Sequence, residues 1–242
     1  MISQSTITFS IVSHGQGQLI RLLLMDFRTQ DSICGQILLT INIPEDESFL
    51  EDFKDLPIRI IRNEKPKGFG SNHNAAFRFA NTPYFVVVNP DIRLASLQIE
   101  LLLKQFKNSD VGISAPLVYS SNGQIQDSAR IFPSFSRLIM RHLAWEKRPD
   151  YSLSDDEIEV DWVGGMFMVF RSTTYHKIHG FNERYFMYFE DVDLCKRLHR
   201  HGYKVILVPG THVIHDAQRA SRRNMRHLFW HISSALRFFF WH

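Results

Sequence analysis

Apolar and amphipathic segments alternate along the first 110 residues, and this alternation restricts the fold more than any other feature of the chain. The apolar segments are almost continuous, which predicts strands buried on both faces, and the segments between them have helical periodicity. The predicted strands are 6–15, 35–44, 57–64 and 82–91; the predicted helices are 18–30, 71–81 and 94–109, with a polar connection or short helix at 45–56. This order predicts an α/β domain in which helices flank a single, mostly parallel central sheet.

Beyond residue 110 the segments change in kind but do not indicate an independent domain. Within 111–132, strands are expected on either side of a turn at Asn122-Gly123, a dipeptide typical of hairpins. The later predictions are a helix at 134–148, a strand with a glycine pair at 160–171, a helix at 190–202 and a last strand at 203–210. We expect these elements to complete the same sheet.

Length and composition agree with one compact domain. The chain has 242 residues, of which 44% are hydrophobic, enough to bury a full core. Cys34 and Cys195 match no metal or redox spacing, which favours a reducing, cytoplasmic location. The N-terminal segment lacks the pattern of a signal peptide, and no run reaches the ~20 apolar residues of a membrane-spanning helix. We therefore expect neither a cleaved signal nor a membrane span.

The charge is unevenly distributed, although its net value is only +3. Residues 150–161 contain six acids and no base, whereas residues 217–242 contain five arginines and no acid. A basic segment without acids favours an anionic partner near the C-terminus. Nucleic acid is not the expected partner, because the chain contains no recognised nucleic-acid-binding motif.

Residues 222–242 are predicted to form a basic, aromatic, amphipathic C-terminal helix. One side of that helix would collect the apolar residues Leu228, Phe229, Ile232, Leu236 and Phe239. This pattern is typical of an interfacial helix that lies on an anionic membrane surface. A helix packed on the body of the domain, or an oligomer contact, would explain the same residues.

The strand predicted at 82–91 ends in Asn89-Pro90-Asp91. Ligands of open parallel sheets bind beyond the carboxyl ends of the strands. A carboxylate at that position is suited to a hard divalent cation whose other ligands are substrate phosphate oxygens. Pro and Asp are also common turn formers, so an ordinary turn explains this tripeptide equally when it is taken alone.

Three acids, Glu190, Asp191 and Asp193, open the helix predicted at 190–202. The helix dipole stabilises acids in a first turn by about 0.3–1 kcal/mol each, so helix capping explains part of the cluster. Three acids within four residues exceed what capping needs. Capping and a catalytic base therefore both remain open explanations.

A histidine and a glycine pair complete the candidate residues. His215 lies just past the last predicted strand and is a candidate metal ligand, although a single histidine is more often structural. Gly68 and Gly70 precede a predicted helix and could provide phosphate-binding backbone. The dinucleotide fingerprint fails because His73 stands at its third glycine, which disfavours a nicotinamide dehydrogenase.

Taken in order, these segments resemble a family 2 inverting glycosyltransferase of the GT-A fold, in its bacterial rhamnosyltransferase-like branch. The matching segments are FSIVSHG, RNEKPKGFGSNHNAAF, VVVNPD, APLVYSSNGQIQDSARIFPS, DWVGGMFMVFRS, HGFNERYFMYFEDVDLCKRLHRHGYKV and VPGTHVIH, within residues 7–221. Phe-Glu-Asp-Val-Asp-Leu and Asn-Pro-Asp are the most specific of them.

The resemblance implies a donor and metal site. Asp91 would be the metal-binding acid of a degenerate Asp-x-Asp motif, and His215 would approach the metal or the diphosphate. Asn89 would lie near the ribose, while Ser13 and Asn42 would border the nucleotide base. The residues implied in donor binding are Ser13, Asn42, Gly68, Asn72, Asn89 and Asp91, and the implied cofactor is Mg²⁺ or Mn²⁺.

The same resemblance implies an acceptor site. Asp191 would be the general base, and Glu190 would help to place the acceptor. Trp162, Gly164 and Gly165 would form the floor of the acceptor pocket.

Three positions depart from the family pattern. Asn42 stands where many relatives carry Asp, Asn182 replaces an Asp, and Ser13-His14 replaces Tyr-Asn or a similar pair. None of them is the implied base or the implied metal acid.

The implied activity is transfer of a sugar to a hydroxyl of a glycan or lipid-linked acceptor in bacterial surface polysaccharide synthesis, either lipopolysaccharide or capsule. Rhamnose from dTDP-rhamnose is the expectation for this branch; UDP-linked galactose, glucose or N-acetylglucosamine stays open, as does a non-catalytic nucleotide-sugar-binding module. The implied organisation is a GT-A domain at 1–221, with a nucleotide-binding half (1–110) and an acceptor half (111–221), and a helix at 222–242. The expected location is cytoplasmic, including the inner face of the cell membrane.

Overall fold

Four parallel strands form one half of the central sheet, as the alternation in the first 110 residues predicts. The computed structural model describes residues 6–30, 35–134, 150–152, 156–215 and 225–240. The four strands are β1 (Ile7–Ser13), β2 (Gln36–Ile41), β3 (Ile58–Arg62) and β4 (Tyr84–Val88). They lie in the order β3-β2-β1-β4 and every pair among them is parallel.

The second half of the chain completes the same sheet, which becomes mixed there. The later strands are β5 (Ile92–Arg93), β6 (Val111–Ser120), β7 (Ala129–Arg130), β8 (Ile158–Val160), β9 (Trp162–Val163), β10 (Phe167–Arg171) and β11 (Lys204–His215). The order continues β4-β10-β6-β11-β5, and β8 pairs with β11. Strand β10 is antiparallel to both of its neighbours, β6 and β11 are parallel, and β7 and β9 form a separate two-stranded ribbon.

Strands β1 to β4 are each a few residues shorter than predicted, and two later strands differ from their predicted bounds in a larger way. The segment 160–171 is not one strand, because the glycine pair separates β9 from β10 and the Gly164 backbone N–H donates to Ser128 O. The last strand does not end at 210 but continues to His215, since a register shift between Val208 and His212 absorbs the Pro-Gly step as a bulge. His215 is therefore the last residue of β11.

Helices cover both faces of the sheet. They are α1 (Gly17–Thr29), α2 (Phe69–Phe77), α3 (Ile99–Lys104), α4 (Ser172–Lys177), α5 (Glu190–Arg200) and α6 (Met225–Phe240), with 3₁₀ turns at Ser48–Phe53 and Gln105–Lys107. Alternate residues of β4 enter different cores: Val86 and Val88 pack in one cluster, Phe85 and Val87 in the other. The predicted helix at 134–148 lies, apart from Ser134, outside the described residues.

The C-terminal helix packs on the domain through one face. Ser234 and Phe238 are buried, and Phe238 joins a third apolar cluster with Tyr185, Phe189 and Val192. The opposite face leaves apolar residues exposed: Met225, Leu228, Phe229, Ile232, Leu236 and Phe240. Contrary to the helical pattern predicted from the sequence, Phe239 lies toward the packed cluster. In the part of the chain that the structure describes, no helix is long and apolar enough to cross a membrane.

The topology collects the candidate residues at one edge of the sheet. Strands β1, β2, β4, β6 and β11 all run in one direction, so their carboxyl ends lie at the same edge. Because β10 is antiparallel, its first residues lie there too. The ends of β1, β4 and β11 carry Ser13, Asn89-Pro90-Asp91 and His215, and Asn42 follows β2.

Candidate active site

Asp91 and His215 are brought together by strand pairing. Strand β5 begins at Ile92, and Ile92 is paired with His215 of β11, which places Asp91 beside the histidine ring. The Asp91 Oδ2 and His215 Nε2 atoms are 3.0 Å apart. The second oxygen, Asp91 Oδ1, is buried and has no hydrogen-bond partner among the described residues. A buried carboxylate oxygen without a donor is unfavourable unless a cation or substrate satisfies it.

The segment that carries Asp91 is held from its other side by a buried ion pair. Asp26 of α1 accepts two hydrogen bonds from the Arg93 guanidinium, at 2.7 and 2.6 Å, and one from the Leu94 backbone N–H at 2.8 Å. Such bidentate pairing fixes geometry as well as charge. The sequence did not predict Asp26 as a residue of the site, since an acid inside a surface helix gives no signal of its own.

Gln126 fixes the orientation of His215. Its Nε2 donates to the His215 carbonyl oxygen at 3.3 Å, which assigns Oε1 as the atom that lies 2.8 Å from His215 Nδ1. A carbonyl oxygen can only accept, so Nδ1 carries a hydrogen, and Nε2 is the ring atom that faces Asp91. Sequence reasoning missed Gln126, although it stands in the matching QDSAR segment shortly after Asn122-Gly123.

These residues fit a divalent cation. A metal-binding histidine usually donates its other ring N–H to an oxygen, as His215 does to Gln126. Because two lone pairs would otherwise face each other, a proton or a cation must lie between His215 Nε2 and the Asp91 oxygen. No group of three or more His, Cys, Asp or Glu side chains suitable for a metal occurs among the described residues. A site with two protein ligands, in which substrate oxygens supply the remaining ligands, suits Mg²⁺ or Mn²⁺.

Asp191 lies at the same edge, at the start of α5. Its Oδ2 accepts a hydrogen bond from the Gly165 backbone N–H at 3.1 Å, and its Oδ1 accepts one from the Val192 N–H at 2.8 Å. The residue after Gly165 is Met166, whose carbonyl accepts the Asn89 N–H at 2.9 Å. Asp91 is two residues further on. The two acids, 100 positions apart in sequence, are therefore connected through one short stretch of backbone.

The three acids of α5 have different environments. Asp193 is fully buried and pairs with Arg197 at 2.7 Å, and Arg197 also donates to the Ile178 and Gly180 carbonyls. Asp193 therefore stabilises the structure. Glu190 is buried with its Oε2 unpartnered by any described residue, and Asp191 is partly exposed. Capping alone does not explain a buried glutamate without a donor.

Burial changes the acidity of the Glu190–Asp191 pair. Burial raises the pKa of Glu190 well above its ordinary value, and the neighbouring Asp191 charge adds to the increase. Burial also raises the pKa of Asp191, opposed by the N–H groups of Val192 and Gly165 and by Arg130. Both carboxyl groups are therefore weaker acids than they would be in water.

Asn42 and Asn72 form an amide network behind the donor side of the edge. Asn42 Oδ1 accepts from Asn63 Nδ2 at 2.9 Å and from the Lys67 N–H at 2.8 Å, and its Nδ2 donates to the Lys67 carbonyl at 3.0 Å. Asn72 Oδ1 accepts from Asn63, and its Nδ2 donates to the Lys67 and Gly68 carbonyls. An Asp at 42 could not donate to Lys67, which explains Asn there. Direct donor binding by these amides stays a prediction.

Gly68 is explained by a close backbone approach. A Cβ at Gly68 would lie 2.6 Å from the Phe186 carbonyl oxygen and 2.8 Å from Phe186 Cα. The first N–H of α2, that of Phe69, already donates to the Phe186 carbonyl at 2.9 Å. Ser13 is buried, and its Oγ accepts from the Gln16 N–H at 3.2 Å. Phosphate binding at Gly68 and base binding at Ser13 remain untested predictions.

The proposed acceptor floor is ordered by backbone contacts. Trp162 Nε1 donates to the Ile131 carbonyl at 3.2 Å, and Gly164 N–H to the Ser128 carbonyl at 2.8 Å. The Arg130 guanidinium lies 5.8 Å from the centre of the Trp162 ring. Its positive charge opposes the rise that burial causes in the pKa of Asp191. Sequence reasoning missed Arg130, although it stands in the matching QDSAR segment.

An open cavity of about 620 Å³ lies on the donor side of this edge. It is bordered by the segments that follow β1 and β2 and by the start of α1; its lining residues include Gly15, Gln16, Glu45, Asp46, Phe49 and Asp52. Its walls come from the loops that follow Ser13 and Asn42, the two residues that the resemblance places beside the nucleotide base, although neither of them lines the cavity.

Comparison with known sequences gives two family matches and several relatives. The model of the family described as Glycosyl transferase family 2 matches residues 44–176, and that described as N-terminal domain of galactosyltransferase matches residues 157–225. Rhamnosyltransferase WbbL of Escherichia coli K12 is 32% identical over 184 residues, which are 71% of this chain and 69% of the relative. The N-acetylglucosaminyl-diphospho-decaprenol L-rhamnosyltransferase of Mycobacterium tuberculosis is 31% identical over 151 residues, which are 58% of this chain and 49% of the relative. The matched part is thus about half the length of that relative.

Solved structures share the fold at low identity. GalNAc-T7 with UDP, GalNAc and Mn²⁺ superposes with a TM-score of 0.66 at 14% identity, over 88% of this chain and 43% of that chain. Mannosyltransferase PcManGT from Pyrobaculum calidifontis with GDP-Man and Mn²⁺ gives 0.63 at 16% identity, over 96% and 64%. S. aureus TarS 1–349 with UDP-GlcNAc gives 0.60 at 14%, over 88% and 59%. The predicted GT-A fold is confirmed.

Proposed function

The chain belongs to glycosyltransferase family 2, and from that premise we propose that it catalyses inverting sugar transfer in a single displacement. The donor is a nucleotide-diphosphate sugar, and the acceptor is a hydroxyl of a glycan or lipid-linked oligosaccharide. The observation that carries the proposal is the meeting of Asp91, His215 and Asp191 at one edge of the sheet.

Asp191 acts as the general base. The acceptor oxygen attacks the anomeric carbon while the bond from that carbon to the diphosphate oxygen breaks on the opposite face, and the hydroxyl proton moves to an Asp191 carboxylate oxygen. General-base assistance of this kind contributes about 10²–10⁴-fold to the rate. Burial raises the pKa of Asp191, which strengthens it as a base, and Glu190 beside it helps to place the acceptor.

Asp91 and His215 would hold Mg²⁺ or Mn²⁺, which when bound supplies positive charge next to the departing diphosphate. Gln126 keeps the His215 ring in the orientation this role needs. Asp26 keeps β5 in place on the other side through Arg93. The Mn²⁺ named with GalNAc-T7 and PcManGT supports the use of a divalent cation on the same fold.

The proposed donor is dTDP-rhamnose, from which rhamnose is transferred. Both curated relatives are named rhamnosyltransferases, and one is matched over more than two thirds of its length. A UDP-linked galactose, glucose or N-acetylglucosamine is the second candidate, favoured by the galactosyltransferase match at residues 157–225. A non-catalytic nucleotide-sugar-binding module would have no need of Asp191 at the same edge of the sheet as Asp91.

The proposed acceptor is lipid-linked and meets the enzyme at the inner face of the cell membrane. The M. tuberculosis relative is named for a decaprenol-linked acceptor. The exposed stripe of α6, which includes Phe229, Ile232 and Phe240, follows a basic segment without acids and suits an anionic lipid surface. Exchange of Phe229 and Ile232 for serine should reduce sedimentation with anionic liposomes, and unchanged sedimentation would contradict the membrane contact.

A panel of nucleotide sugars tests the activity. We expect dTDP-rhamnose to be hydrolysed slowly without acceptor, with release of thymidine diphosphate only when Mn²⁺ or Mg²⁺ is present. Thymidine diphosphate should raise the melting temperature of the protein only with the same ions. Preference for UDP-sugars would select the second candidate. Binding without turnover of any sugar would support the non-catalytic module instead.

A further inference from the structure

Helix α6 contacts every residue of the segment that leads into the proposed base. The segment 186–189 (Phe-Met-Tyr-Phe), called the approach segment below, ends at Phe189, directly before Glu190 and Asp191. The contacts from α6 to this segment come from its packed face, on the side opposite to the exposed apolar stripe. Because the segment determines where α5 begins, whatever holds it also places Asp191.

The first two residues of the approach segment are held by an aromatic ring and a hydrogen bond. The Phe186 and Trp230 rings lie 4.8 Å apart, centre to centre. The carbonyl oxygen of Met187 accepts a hydrogen bond from Ser234 Oγ at 2.9 Å, and Ser234 is buried. A buried hydroxyl aimed at a loop carbonyl satisfies a backbone group that would otherwise need water.

The last two residues of the approach segment also contact α6. Tyr188 OH lies 2.9 Å from His227 Nδ1. The Phe189 ring packs against His231 at 5.4 Å and against Phe238 at 5.6 Å between centres. Phe238 is almost fully buried.

The backbone of the approach segment needs such support. Tyr188 has a φ of 69° and Phe189 a φ of 65°, two successive bulky residues in the left-handed region that normally suits glycine. Strained conformations of this kind persist only where surrounding contacts enforce them. The first helical hydrogen bond of α5, from the Asp193 N–H to the Phe189 carbonyl, starts from this strained position.

We infer that α6 is a positioning element for the catalytic base: its packed face holds the approach segment in a left-handed conformation that sets the start of α5. This inference rests on the proposed role of Asp191. The packed face of α6 thus has a positioning role within the protein, while its opposite face is exposed. Separate mutations can therefore alter one face without the other.

The test compares conservative variants of the packed face with control variants on another helix. Tyr188→Phe, Ser234→Ala and Phe238→Leu each weaken one contact of the packed face, while Leu22→Ala and Met25→Ala alter exposed apolar residues of α1 and serve as controls. Hydrogen exchange of a peptide spanning 186–194 is measured first, without any ligand. The packed-face variants should exchange about 2- to 10-fold faster there, and the controls should match the wild type.

Turnover and ligand binding are then measured on the same proteins. The rate of thymidine diphosphate release from dTDP-rhamnose should fall about 10- to 100-fold in the packed-face variants, because the base is misplaced. The Mn²⁺-dependent binding of thymidine diphosphate should stay within about twofold, since no contact of α6 reaches Asp91 or His215 in the described residues.

The outcomes separate this inference from the proposed function. Unchanged exchange in all three packed-face variants would overturn the inference whatever the activity, and so would faster exchange with an unchanged rate. Faster exchange with no turnover by any protein, wild type included, would support the structural link and count against the proposed function. A loss of turnover in the α1 controls equal to that of the packed-face variants would also overturn the inference.

Discussion

The carboxylate of Asp191 accepts the Gly165 backbone N–H at 3.1 Å, and this contact ties the helix of the proposed base to the strand that adjoins the proposed metal site. Gly165 precedes β10, and β10 pairs with β4, whose end leads to Asp91. A Cβ at Gly165 would lie 3.1 Å from the Phe69 ring, so the position has little space for a side chain. The proposed base and the proposed metal-binding acid thus lie at one edge of the sheet.

Asp191→Asn is expected to lower sugar transfer by about 10²-fold or more, because the amide cannot take the acceptor proton. The Mn²⁺-dependent rise in melting temperature with thymidine diphosphate should persist, since Asp91 and His215 are untouched. The exposed acid Asp156, changed to Asn, is the matched control and should behave as wild type. Turnover of Asp191→Asn near the wild-type rate would exclude Asp191 as the base.

Gln126→Leu is expected to weaken Mn²⁺ binding by about 10- to 100-fold, because both hydrogen bonds that orient His215 are lost. Titration of Mn²⁺ in the presence of thymidine diphosphate, followed by electron paramagnetic resonance, measures this directly. Gln124→Leu, two residues away with an exposed side chain, is the control. Equal Mn²⁺ affinities of the two variants would show that Gln126 does not orient a metal ligand.

Gly68→Ala is expected to destabilise the fold by about 1–3 kcal/mol, because the new Cβ meets the backbone of Phe186 rather than a flexible side chain. Chemical denaturation measures the change. Gly210→Ala is the comparison, since its Cβ would meet only Leu101 Cδ1 at 3.5 Å, an ordinary contact. If the two variants were equally stable, the close approach of Phe186 to α2 would not be a constraint.

His73 is expected to make the protein sensitive to acid. Its Nδ1 lies 2.8 Å from Ser10 Oγ, and burial lowers its pKa from 6.5 to about 3. Below pH 6.5 the unfolded chain binds a proton that the folded chain excludes, so stability falls as the pH decreases. The loss is about 1.4 kcal/mol for each pH unit down to the folded pKa.

His73→Gln removes this proton-binding group and provides the comparison. Its overall stability will be lower, so the readout is the slope of unfolding free energy against pH between about 6 and 4. We expect a flatter slope for the variant. Parallel slopes would mean that His73 is not held neutral.

Local sequence was sufficient for the elements that depend on local periodicity. The strands β1 to β4, the helices α1 and α5 and the order of the first half follow from buried apolar runs and helical spacing, which act within a few residues. The candidate acids were also visible, because Asn-Pro-Asp and Glu-Asp-Val-Asp stand at the ends of such elements. The GT-A fold and the family followed from the order of these segments.

Other features depended on contacts between residues far apart in the chain. Gln126 orients His215 across 89 positions, and Asp26 holds Arg93 across 67. Tyr188 and Phe189 have left-handed backbone conformations, but neither is a glycine, so the sequence does not predict them. Contacts with α6 hold them in these conformations. The antiparallel β10 between β4 and β6 likewise has no local signal, because strand direction is set by pairing.

The sequence by itself thus determined which segments are buried, which are helical and which acids end them, because these properties follow from the polarity and spacing of neighbouring residues. Only the tertiary structure determined which side chains contact each other, which hydrogen bonds orient them and which carboxylates are buried away from solvent. Those outcomes depend on burial and on partners that lie far apart along the chain.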